Sequence, residues 1–184
     1  SYKEFREEVS NHAKLKTTTG PNQTDALINY TKLNDARMRR LDKTTKISET
    51  HQTIFSNYQK KVTWLVLTES WCGDAAQSLP VLNKIAAITP HFTLKVVLRD
   101  EHIDLMQHFL TNGAMAIPKL IAVDEVSGDI IGTWGPRPSE ATKMVAHYKA
   151  ANGSLSPEFK KDLQIWYTKD KGQSVIDDIT RMLT

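Results

Sequence analysis

The chain has 184 residues, 40% of them hydrophobic and 24% charged, with a formal net charge of +3. That length suits one domain plus an extension, and the composition is that of an ordinary globular protein with a core that needs no covalent staples. A single cysteine, Cys72, excludes an internal disulfide, and the small net charge argues neither for nor against nucleic acid.

The first third reads as charged and helical. Tyr2, Phe5 and Val9 make a short apolar stripe, and Thr17–Asn22 reads as a loop around Gly20-Pro21. Thr24-Asp25 caps a helix on which Leu27, Tyr30, Met38 and Leu41 approximate one face. Its far end carries Arg37, Arg39, Arg40, Lys43 and Lys46. Cations there complement the helix dipole, so they read as a solvated face in preference to an anion-binding patch. Ser48 caps a further helix bearing Ile54, Phe55 and Tyr58. No apolar signal core opens the chain and no apolar run reaches about 18 residues, so a cytoplasmic protein without a membrane partner is expected.

From Lys61 the pattern alternates between strand and helix. Val62–Thr68 lacks polar alternation, as expected of a central strand covered on both faces. Trp71-Cys72-Gly73-Asp74 then leads into a helix over Gly73–Ile88 with Pro80 inside it. A strand over Thr93–Leu98 and a helix over Ile103–Leu110 follow. Ile117-Pro118 leads into a strand over Lys119–Val123, turned back by Ser127-Gly128-Asp129 into Ile130–Trp134. Ser139–Ala150 reads as a helix, and Ser156-Pro157-Glu158 starts another carrying Phe159, Leu163 and Trp166. Val175, Ile179 and Met182 line a last helix after Gly172.

Strand, cysteine-bearing turn, helix, strand, helix, X-Pro, hairpin and helix in that order resemble a thioredoxin-like domain over about Lys61 to Ala150. Trp71-Cys72-Gly73 resembles the first half of the thioredoxin motif Trp-Cys-Gly-Pro-Cys, Pro80 falls where that family kinks its active-site helix, and Pro118 falls at its cis-proline. Together with Arg99-Asp100-Glu101 and Thr111-Asn112-Gly113, the Trp-Cys-Gly-Asp motif is similar to that of a bacterial group of thioredoxin family proteins. The resemblance implies an α/β fold with a mixed sheet flanked by helices. It divides the chain into a helical extension at 1–60, a thioredoxin-like domain at 61–150, and C-terminal helices at 151–184 packed on the same domain.

Within that resemblance Cys72 is the nucleophile and Asp74 an adjacent proton carrier. Trp71, Gly73, Ile117 and Pro118 form the groove that holds a partner's backbone. Two departures separate the chain from dithiol chemistry: Ala75 replaces the resolving cysteine, and Val66 stands where thioredoxins bury a carboxylate. A lone thiol forms mixed disulfides but cannot complete a dithiol cycle. The first expectation is therefore a monothiol redox protein acting on protein or small-molecule thiols and disulfides, reset by an external thiol such as glutathione and needing no other cofactor. The alternative is a binding module that kept the groove and lost the chemistry. An accessible thiol is expected at the helix N-terminus, where the dipole favours thiolate. Asp74 and Glu69 oppose that effect, and Lys119 and Arg137 are candidates to counter them. Asp74 equally reads as a first-turn acid bonded to free backbone N–H groups.

Other chemistries lack a motif. No histidine pair has metal-ligand spacing; His102 and His108 fall on different sides of a helix. No phosphate-binding or nucleophile-elbow glycine pattern occurs, and basic residues do not interleave with aromatics as a nucleic-acid surface requires.

Overall fold

A computed structural model describes all residues, 1–184. Three helices come first: α1 (Tyr2–Leu15), α2 (Asp25–Thr44) and α3 (Glu49–Ser56). Each begins on a side-chain cap: Ser1 accepts from the Glu4 N–H, Thr24 from Leu27 and Ser48 from His51. These caps satisfy amide donors that a helix start leaves without partners. Then follow β1 (Val62–Thr68), α4 (Gly73–Ala86), β2 (Phe92–Leu98), α5 (Ile103–Gln107), β3 (Lys119–Asp124) and β4 (Ile130–Trp134). The chain ends in α6 (Ser139–Asn152), α7 (Pro157–Asp170) and α8 (Gln173–Leu183).

The four strands form one mixed sheet in the order β2-β1-β3-β4. β1 runs parallel to β2 and antiparallel to β3, and β3 and β4 form an antiparallel hairpin. β1 is central, and its Val62, Trp64 and Val66 are fully buried on one face. On the other face Thr63 and Leu65 are half-buried while Leu67 is fully buried. The cover expected on both faces is thus complete on the first and partial on the second. The uniform apolar composition of β1 hides an alternation that the helices impose. On the covered face Phe92 stacks on Trp64 with centroids 4.8 Å apart, and Phe55 of α3 meets Phe92 edge-on. Such pairs contribute about 0.5–1.5 kcal/mol beyond the area they bury.

Packing does not follow the sequence boundaries at 60 and 150. The main core takes Tyr2, Phe5 and Val9 from α1, Met38 from α2 and Phe55 from α3. It also takes Val175, Ile176 and Ile179 from α8. Ala141 and Val145 of α6 lie elsewhere, in a small separate cluster with Phe159, Leu163 and Tyr167 of α7. The helix against β4 is thus α8. Asp178 fixes it there: its carboxylate accepts from Trp134 Nε1 at 3.0 Å and from the Ser139 N–H at 2.7 Å, and it pairs with Arg181. Gly132 permits the close approach, since a Cβ there would stand 2.9 Å from Met182 Cγ. Helices α6 and α7 form a hairpin inserted in the sequence between β4 and α8. No helix is long and apolar enough to cross a membrane.

Candidate functional site

β1 ends at Thr68, and Glu69-Ser70-Trp71 carries the chain over the sheet edge into α4. The turn is held from above by the N-terminal segment. Ser70 Oγ accepts from the Thr19 N–H at 3.0 Å, the Ser70 N–H donates to Thr19 Oγ1 at 2.8 Å, and Asn34 Nδ2 donates to the Ser70 carbonyl at 2.9 Å. Helix α2 therefore runs beside α4 and forms one wall of the site. Glu69 is 1% exposed and accepts from the Asp100 N–H at 2.8 Å; its other oxygen has no partner. Burial raises its pKa. Its carboxyl is engaged at Asp100 and does not act on the thiol.

Cys72 is the N-cap of α4, and the Ala75 N–H points to its Sγ at 3.5 Å. The expectation of an accessible thiol is corrected: the residue is 7% exposed, and its S–H donates to the Ile117 carbonyl at 3.3 Å. Burial, with the charge of Asp74 second, pushes the thiol pKa up to about 12; the Ala75 and Asp74 amides and Arg137 pull the other way. Desolvation outweighs the helix end because burial takes the thiolate out of water while only two amides and Arg137 favour its charge.

Asp74 is buried and its bonds are not to backbone. Arg137 Nη2 sits 2.7 Å from one carboxylate oxygen, and the Tyr167 hydroxyl donates to the other at 2.9 Å. Burial raises its pKa, with Arg137 as the main opposing influence. The reading of Asp74 as a plain first-turn acid is replaced by that of a clamp joining α4, the 135–138 loop and α7. Arg137, one of the two candidate cations, is thus engaged mainly with Asp74. Lys119 has no ion-pair partner and plays no part at the thiol.

The Ile117–Pro118 bond is cis, as is Gly135–Pro136. A cleft of about 430 Å³ opens between these loops and α2, lined by Trp71, Cys72, Gly73, Asp74 and Ile117, with Tyr30, Arg99, Met115, Pro136 and Arg137. Five of the six predicted site residues meet there. Pro118 is buried and lies behind the lining, with its carbonyl against Gly135. Arg99 caps the far rim, its guanidinium 5.1 Å above the Trp71 ring and paired with Asp100 at 2.7 Å. Tyr30, Arg37, Gln164 and Tyr167 escape a sequence reading because they arrive from α2 and α7. Arg37 carried a signal as a member of the basic run and Tyr30 as part of a helix face, but neither pointed to this site.

No group of acidic, histidine and cysteine side chains in the chain could hold a metal ion. No curated protein matches the chain. Among solved structures, a protein of unknown function from Pseudomonas aeruginosa is 17% identical, with a TM-score of 0.64 over 82% of this chain and 83% of that one. An HIV epitope-scaffold protein is likewise 17% identical, with a TM-score of 0.62 over 82% and 84%. At such identities the likeness shows the fold alone. The family profile Thioredoxin_9, described as thioredoxin, matches residues 20–150. With the mixed sheet, the cysteine at the start of α4 and the X-Pro loop facing it, the chain belongs to the thioredoxin family.

Proposed function

We propose that this protein is a thioredoxin-fold binding module, whose groove holds a partner non-covalently while Cys72 stays protonated. The observation that carries this reading is the thiol's own hydrogen bond: the buried S–H donates inward to the Ile117 carbonyl, an interaction a thiolate cannot make. Ala75 gives Cys72 no resolving neighbour, and the raised thiol pKa agrees with a silent sulfur. Trp71, Gly73 and Ile117 offer an apolar wall and a backbone edge to a bound peptide or small molecule. A second reading, monothiol exchange reset by glutathione or another external thiol, is favoured by one feature: the Ala75 N–H aimed at Sγ, the arrangement that stabilises a thiolate.

The rate of Cys72 alkylation against pH separates the two. A rise in pKa from 9.0 to about 12 leaves about a thousandfold less thiolate at neutral pH. Alkylation of the folded protein should be far slower at pH 7 than that of the urea-unfolded chain and should climb only in strong alkali. Intact mass should show no adduct after glutathione disulfide. Neutral-pH alkylation as fast as in the unfolded chain, with a glutathione adduct, would replace the binding reading by monothiol exchange.

A further inference from the structure

Beside the thiol cleft lies a second one of about 410 Å³, bounded by Tyr30 and Arg37 of α2, Arg137, and Lys160, Lys161 and Gln164 of α7. The two clefts share Tyr30, Gly73, Asp74 and Arg137, so they form one groove around the start of α4. Four cations line the second cleft against a single carboxylate, that of Asp74. Asp74 is already committed to Arg137 and the Tyr167 hydroxyl. Three cations therefore remain without a carboxylate in ion-pair range. Arg37 is half-buried and has only the neutral Asn34 Oδ1, at 2.9 Å. Lys160 and Lys161 are exposed and unpaired.

Two details point at a ligand and not merely at a basic surface. Arg137 Nε is buried and has no acceptor in the protein, although Nη2 of the same guanidinium is paired. A buried donor left so costs about 1–3 kcal/mol, and an incoming oxygen would remove that cost. Burial also disfavours the charge on Arg37, whose pKa is lowered. The other half-buried guanidinium groups each meet a carboxylate, Arg6 at Asp35 and Asp42 (although its Nη1 is also without a partner) and Arg99 at Asp100, so Arg37 is the one left without such a counter-charge. Guanidinium groups present paired donors that match carboxylate and phosphate oxygens.

We propose that the α2–α7 cleft is a binding site for a small polyanion bearing carboxylate or phosphate groups, with Arg37 and Arg137 gripping its oxygens and Lys160 and Lys161 completing the charge. The site deepens the binding-module reading, since it gives the anionic end of the molecule whose other end lies in the Cys72 cleft. Gly73 lines both clefts, and a Cβ there would stand at ordinary contact distance from Arg37 Nη1, 3.5 Å, and Gln164 Nε2, 3.7 Å.

The test is calorimetric titration of the full chain with citrate and, separately, with pyrophosphate, at constant ionic strength. Saturable binding of at least one is expected, and which one binds tells carboxylate from phosphate. Arg37→Gln should weaken it about tenfold or more, the loss of one charge-assisted contact. Lys160→Gln/Lys161→Gln, two exposed changes that leave the fold alone, should weaken it again and flatten its salt dependence. An exchange at exposed Lys95, far from the groove lining, should leave the affinity unchanged. No saturable binding of either probe, or binding indifferent to the Arg37 and lysine exchanges, would overturn the proposal. Its failure is distinct from that of the binding-module reading: a protein that binds anions yet alkylates rapidly at Cys72 keeps the cleft and loses the silent thiol.

Discussion

Replacing Asp74 by alanine tests whether a polar clamp, and not apolar packing, docks the α6–α7 hairpin on the body. Helix α7 makes two side-chain hydrogen bonds to α4, Gln164 to Gln77 and Tyr167 to Asp74, while its apolar residues lie in their own small cluster with α6. Asp74→Ala strands the Arg137 guanidinium and the Tyr167 hydroxyl together. Removing one partner of a buried ion pair costs about 3–5 kcal/mol. Here the Arg137 side chain keeps 26% of its surface, so water offsets part of that. The loss should fall near the lower limit, about 3 kcal/mol. Tyr167→Phe forfeits a single bond to a charged oxygen, about 1.5 kcal/mol, and adding it to Asp74→Ala should cost little more, because the bond is already gone. Urea unfolding gives these differences from midpoints at unchanged slope. Hydrogen exchange should show the loosening concentrated in 157–170, with β1 and β3 unaffected. An Asp74→Ala protein within about 0.5 kcal/mol of wild type, with α7 amides equally protected, would refute the clamp.

Two further outcomes follow from neighbouring residues. Burial raises the Glu69 pKa above its ordinary 4.5, so its ionisation is harder in the folded chain; its contribution to stability is greatest below that value and is lost as pH rises through the raised one. Glu69→Gln should flatten this part of the stability–pH profile, as measured by urea unfolding from acid to neutral pH; an unchanged slope would show that the carboxyl titrates normally. Gly135 has φ of 115° and a Cβ would stand 2.1 Å from the Pro118 carbonyl. Gly135→Ala should therefore cost more than about 3 kcal/mol or prevent folding, read from thermal unfolding, while Gly128→Ala, where nothing lies within 4 Å, should cost far less.

The local signals in this chain were readable because they are written in adjacent residues. β1 begins and ends at Val62 and Thr68 as its apolar run does, and Thr24, Ser48 and Ser156 cap the helices they precede. Trp71 to Asp74 and Ile117 converge as the family pattern implied. What periodicity could not say is which amphipathic helix covers which surface. Both Ser139–Asn152 and Gln173–Leu183 carry an apolar stripe, and only the fold shows that α8 lies on β4 while α6 pairs with α7. Nor could it show that the thiol faces inward, since that depends on Ile117, or that Asp74 finds Tyr167. On α7 the spacing suggested Trp166; the residue turned to the site is its neighbour Tyr167, at i+4 from Leu163.

The place of α8 also bears on how the chain reaches this state. The sheet can zip from β1 outward as soon as β2 and β3 exist, but Val175, Ile176 and Ile179 arrive only after β4 and two intervening helices have been made. Until then a strip of sheet that includes β4 stays uncovered, and a nascent or partly unfolded chain presents it to any neighbour with an apolar edge. Contacts of such long sequence separation form slowly and leave the intermediate prone to association. The hairpin of α6 and α7, which buries its few apolar residues within itself, can fold during that interval without competing for the strip, so the insertion delays the closing of the core without misdirecting it.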